Sequence, residues 1–93
     1  MAFPIPFKAS VARELAKLPR EAQLRFLFAF TLLSVSPTKA TPRLSVKQMR
    51  GHLGFWRIAI SPWRGVYQFD GSVIRFYLFG HRSTVYTQFE STR

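Results

Sequence analysis

"FWRIAISPWRGVYQFDGSVIRFYLF" (Phe55–Phe79) is the stretch that decides the fold. It holds three runs, "FWRIAI", "WRGVYQF" and "VIRFYLF", rich in aromatic and β-branched residues and of strand length. "SP" and "DG" separate them, and Asp70–Gly71 is a hairpin-turn pair. Ahead of them "LSVKQM" (Leu44–Met49) is a further β-rich run, joined through the turn material "RGHLG". The expectation is a meander of about four antiparallel strands. Alternation then sorts the side chains. Trp56, Ile58 and Ile60 oppose Phe55, Arg57 and Ala59. Arg64, Val66 and Gln68 oppose Trp63, Gly65, Tyr67 and Phe69. Val73, Arg75, Tyr77 and Phe79 oppose Ile74, Phe76 and Leu78. Each of the three runs carries one arginine in an apolar context.

Upstream the periodicity changes. "FPIPF" (Phe3–Phe7) reads as a short edge strand, the one place in a sheet where proline is tolerated. Ser10 is an N-cap candidate, and Val11, Leu15 and Leu18 follow at i, i+4 and i+7. Pro19 ends that helix and suits the first position of a second, expected over 19–35. There Leu24, Leu27, Phe28, Thr31, Leu32 and Val35 form one stripe, and Phe26, Phe30 and Leu33 a second. One stripe must bury on the sheet, while the other needs the first helix or another chain; Phe26, Phe30 and Leu33 are the better core candidates. "SPTKATPR" (Ser36–Arg43) is a proline-punctuated loop. A short strand, two helices and then a four-stranded meander make an α+β fold, in one domain spanning 1–93.

Charge narrows the function. The formal net charge is +10, from 14 Lys and Arg against 4 acids. Such an imbalance repels itself in a compact chain and implies an anionic partner. Arginines interleaved with aromatics suit single-stranded nucleic acid, guanidinium on phosphate and ring on base. There is no cysteine, hence neither disulfide nor thiolate metal site. His52 and His81 are far apart in the chain and lack flanking carboxylates, so no metal or other cofactor is expected. No carboxylate pair and no phosphate-cradling glycine loop is present. What remains is chemistry a cation cluster performs, stabilising added negative charge on a phosphate. "MAFPIPF" lacks a basic leader, and the apolar run Phe26–Val35 is about half the ~20 residues that cross a bilayer, so a soluble, cytoplasmic protein with no membrane partner is expected.

"LPREAQLRF", "MRGHLGFWRIAISPWRGVYQF" and "GHRSTVY", in this order and spacing, resemble the RelE/ParE superfamily of type II toxin–antitoxin toxins. The resemblance covers nearly the whole chain and is strongest from Met49 to Tyr86. It implies a RelE-like microbial RNase-type fold and an mRNA endonuclease that acts at the ribosomal A site, by attack of a ribose 2′-oxygen on the adjacent phosphate. Carried over by position, Arg57 orients and activates the nucleophile and Arg64 stabilises the phosphate. Arg82 assists charge stabilisation or protonation of the leaving oxygen, and Tyr86 stacks on a base and may join proton transfer. Lys47, Arg50 and Arg75 complete the expected RNA-contacting set. Where well-known members carry a second base two residues after the first, this chain has Ala59. His81 is then the alternative proton carrier, since an imidazole titrates near neutrality. The resemblance also implies an acidic antitoxin partner, with ribosome and mRNA as targets and no small-molecule cofactor.

Two other functions stay open on sequence alone. A ParE-like DNA gyrase inhibitor shares the fold without nuclease activity, though such members generally lack the closing Arg/Tyr pair. A catalytically weakened RNA-binding relative is suggested by Ala59. Residue by residue, Arg57, Arg64 and Arg82 read otherwise as solvated or salt-bridged sheet residues. Tyr86 reads otherwise as a terminal-strand core residue, His81 as structural, His52 as an exposed turn residue, and Trp56 and Trp63 as core or rim anchors.

Overall fold

A computed structural model describes residues 2–92. Along the chain come α1 (Ala9–Ala16), α2 (Arg20–Leu33), β1 (Ser45–Gln48), β2 (Phe55–Ile60), β3 (Trp63–Phe69), β4 (Ile74–His81) and α3 (Val85–Thr92). The strands form one antiparallel sheet in the order β1-β2-β3-β4, the expected α+β meander.

The first departure from the sequence expectation is at the start. Residues 2–8 form no strand but an extended arm. Pro4 and Pro6 have no N–H to offer a ladder. The arm is held by single bonds instead, Phe3 N–H to the Ser34 carbonyl at 2.8 Å and Ile74 N–H to the Pro4 carbonyl at 3.0 Å. Phe3, Ile5 and Phe7 turn inward against the core. The arm runs into α1, which starts one residue before Ser10, with Lys8 at the cap and no side-chain cap bond. Pro19 likewise stands at the cap of α2, just outside it, and α2 ends at Leu33, short of Val35.

Of the two stripes on α2, Phe26, Phe30 and Leu33 enter the core with Ala22 and Ala29. Leu24, Leu27, Phe28 and Val35 stay more than half exposed, at 54 %, 53 %, 55 % and 62 %. The core fills the space between α1, α2 and one face of the sheet. Val11 and Leu18 from α1 meet Ile58, Ile60, Tyr67, Ile74, Phe76 and Phe79 from the strands. Phe76 and Phe79 stack with centroids 4.9 Å apart. Gly65 makes room for them: a Cβ there would lie 2.9 Å from the Phe76 ring and 3.0 Å from the Phe79 ring. Tyr67 is fully buried, its hydroxyl donating to the Pro37 carbonyl at 2.6 Å, so the proline loop is pinned to the sheet. Burial pushes that phenol well above its ordinary range.

Phe76 and Phe79 lie on the same face because the β3–β4 ladder slips. Tyr67 pairs with Phe76 and Val66 with Leu78, leaving Tyr77 as the extra residue of a bulge. Simple alternation put Phe79 opposite Phe76 and Leu78 beside it. The inserted residue reverses both, sending Phe79 to the main core and Leu78 to the other side.

A helix rather than a strand closes the chain, which corrects the expected environment of Tyr86. Val85 and Phe89 of α3 are buried on Phe55, Val66 and Leu78. Part of the sheet face opposite α1 and α2 is therefore covered. Gly80 permits the close approach, since a Cβ there would lie 3.4 Å from Gln88 and 3.5 Å from Val85. At the outer edge of β4, Glu14 of α1 accepts a hydrogen bond from the Phe79 N–H at 3.0 Å.

Candidate active site

Strand register places the cationic residues. Lys47, Arg57, Val66 and Leu78 form one row across the sheet, and Ser45, Ala59, Arg64 and Gly80 form the next. Both rows lie on the face opposite the main core. Arg57 and Arg64 therefore share a face, as alternation predicts, and Ala59 is directly opposite Arg64. Arg82 follows two residues after Gly80, in the turn beyond β4. Strand spacing sets these three backbone positions at steps of about 8 Å along a diagonal.

Beside α3 the sheet face remains open as a cleft of about 760 Å³, lined by Lys47, Met49, Arg50, His52, Arg57 and Tyr86 among others. α3 carries Tyr86 back across the sheet, so the Arg57 guanidinium carbon lies 6.0 Å from the Tyr86 ring centroid. Arg64 donates from Nη1 to the Trp63 carbonyl at 2.9 Å. The Arg64 Nε and the Tyr86 hydroxyl are both buried and, among the described residues, have no hydrogen-bond partner. A buried polar atom left unpaired costs about 1–3 kcal/mol, so a pair of them beside a cationic cleft favours a polar ligand.

Not every residue read from the sequence joins this cleft. His81 stands at the end of β4 opposite Trp63, its Nδ1 2.8 Å from the Ser83 hydroxyl and accepting the Ser83 N–H at 3.1 Å. It does not line the cleft. Arg82 is exposed at the same end, its N–H bonded to the Pro62 carbonyl at 2.9 Å. Arg75 donates to Asp70 at 2.9 Å and lines a separate hollow with Lys8 and Phe7. Among the described residues no carboxylate forms an ion pair with Lys47, Arg50, Arg57, Arg64 or Arg82. That leaves their charge for an anion from outside.

His52 belongs to the site although the sequence places it in an exposed turn. Gly51 (φ 79°) and Gly54 (φ 83°) bend the β1–β2 connection around it, and both lie in the left-handed region that favours glycine. His52 Nε2 donates to Glu90 of α3 at 2.8 Å, and its ring meets the edge of Phe89 at 5.0 Å. The imidazole side chain is 17 % exposed, held in place yet open to the cleft. Among the described residues no group of acids and histidines could hold a metal ion, and no helix is long and apolar enough to cross a membrane.

No family model matches the chain, and a search of curated proteins returns no match. Solved structures do match. The isolated E. coli RelE toxin is 23% identical with a TM-score of 0.69, over 98% of this chain and 98% of that one. The RelE–RelB-type complex RelBE2 of Mycobacterium tuberculosis is 26% identical with a TM-score of 0.69, over 88% of this chain and 100% of the matched one. The RelB–RelE antitoxin–toxin complex of Methanococcus jannaschii is 20% identical with a TM-score of 0.73, over 89% and 96%.

Proposed function

We propose that this chain, which has the fold of the RelE-like toxins, is a ribosome-dependent mRNA endonuclease of a toxin–antitoxin pair. The observation that carries the reading is the pair of buried, unpartnered polar groups, Arg64 Nε and the Tyr86 hydroxyl, beside cations that lack carboxylate partners. In this reading a ribose 2′-oxygen attacks the adjacent phosphorus. Arg64 neutralises the pentacoordinate phosphate, Arg57 orients the nucleophile, and Arg82 meets the charge on the leaving side. The Arg57–Tyr86 pair supplies a stacking platform. Lys47 and Arg50 track the flanking backbone, whereas Arg75, engaged by Asp70, contributes less.

The partner in this reading is an acidic antitoxin, with an amphipathic segment on the exposed α2 face. Arg25 and Arg43 flank Leu24 and Phe28 in the groove between α2 and β2, so the apolar strip is bordered by positive charge. The test is to map 5′ ends of mRNA on programmed ribosomes. Wild-type protein should cut within the A-site codon, and Arg64→Ala should lower the rate by about 10²–10³. Intact transcripts at saturating wild-type protein would overturn the reading.

A further inference from the structure

We infer that His52, held by Glu90, is the group that takes the proton from the attacking 2′-hydroxyl; this rests on the nuclease reading above. The reaction needs a proton acceptor at the cleft, and the cations there are poor ones. Arg57 and Arg64 stay charged at any relevant pH, and Ala59, directly opposite Arg64, carries no ionisable group. His81 does not line the cleft, and its Nδ1 is engaged by Ser83. His52 does line it, together with Arg57 and Tyr86.

Electrostatics give Glu90 its part. Lys47 of β1, Arg50 of the following turn and Arg57 of β2 all line the cleft with His52 and oppose a positive charge on the imidazole. The Glu90 carboxylate, 2.8 Å from Nε2, offsets them and lets the imidazolium form as the proton arrives. Phe89, its neighbour on α3, fixes the ring from the edge. A histidine oriented by a carboxylate and lodged among phosphate-binding cations is suited to general-base work.

The step balances as follows. The 2′-oxygen forms a bond to phosphorus while its proton passes to the imidazole. The bond from phosphorus to the 5′-oxygen breaks, and its electron pair leaves with that oxygen, which takes a proton from water. The imidazolium returns its proton to the hydroxide so formed. The products are a 2′,3′-cyclic phosphate and a 5′-hydroxyl.

The experiment is the pH–rate profile of cleavage on programmed ribosomes, for wild type, His52→Gln and Glu90→Gln. Wild type should show a rate that rises as an imidazole loses its proton. His52→Gln keeps an N–H for Glu90 but cannot accept a proton. It should bind RNA like wild type, lose at least about 100-fold in rate and lose the rising limb. Glu90→Gln should keep the limb and move it to lower pH, because an imidazole without its anion gives up its proton more readily. A His52→Gln profile matching wild type in rate and shape overturns the inference and leaves the nuclease reading standing. Should that variant fail to fold, an unmoved limb in Glu90→Gln overturns it just as well. Absence of cleavage by wild type removes the nuclease reading and this inference together.

Discussion

Asp70 shows how much one side chain in this molecule can organise. It accepts from the backbone N–H groups of Ser72 and Val73, each at 2.9 Å, and from Arg75 at 2.9 Å. The Val73 and Ser72 bonds, and then Arg75, hold its carboxyl at about 2, below the ordinary 3.8. Its folded value lies below its unfolded one, so its contribution is whole above about pH 4 and fades as pH falls through about 2. Asp70→Asn should therefore melt below wild type at neutral pH, and the gap should close between about pH 4 and 2. Thermal melts across that range measure it. Asp70 and Gly71 were legible as a turn from the sequence alone, and the shared side of Arg57 and Arg64 followed from parity. His52 and Glu90 were not, because they are 38 residues apart and nothing local couples them. Only the return of the chain end over the sheet brings them together.

Among the elements, α3 was the one the sequence concealed. "VIRFYLFGHRSTVY" is dense in strand formers, and nothing in it forces a change of period. The clues were Ser83 and Thr84, which favour helix starts, and the i, i+4 pair Val85 and Phe89. Such a short helix owes its existence to packing on Phe55, Val66 and Leu78 rather than to propensity. Phe89→Ala removes that anchor and should cost about 3–5 kcal/mol. It should also free Tyr86 from Arg57 and Glu90 from His52. Urea denaturation gives the stability, and hydrogen exchange along 85–92 shows whether the helix has loosened. The β4 bulge escaped for a related reason: alternation assumes that every residue is paired, and Tyr77 is not. The α1 and α2 spans were readable because their apolar spacing is regular over several turns.

Taken whole, the molecule has two faces of unlike character. One presents cations without carboxylate partners around a cleft. The other presents the exposed strip of α2. If an acidic partner seats on that strip, Leu24→Ser with Phe28→Ser should weaken its binding at least tenfold. The melting behaviour should stay nearly unchanged, since both side chains are already more than half exposed. Calorimetric titration against the coexpressed partner, beside a melt of the variant alone, separates the two effects. Equal affinity for wild type and variant would place the partner elsewhere. The sequence revealed both apolar stripes of α2 but not which would face outward, because that choice belongs to the sheet beneath.

The blocked margin of β4 has a consequence for self-association. Glu14 and the Pro4 carbonyl occupy main-chain donors on that side, while among the described residues no main-chain bond reaches the outer side of β1. Lateral growth of the sheet thus has a single available margin per molecule. Two copies can join β1 to β1 about a twofold axis, and there the growth stops, because neither retains a second margin to recruit a third. The strand layout therefore favours a closed pair over an open filament.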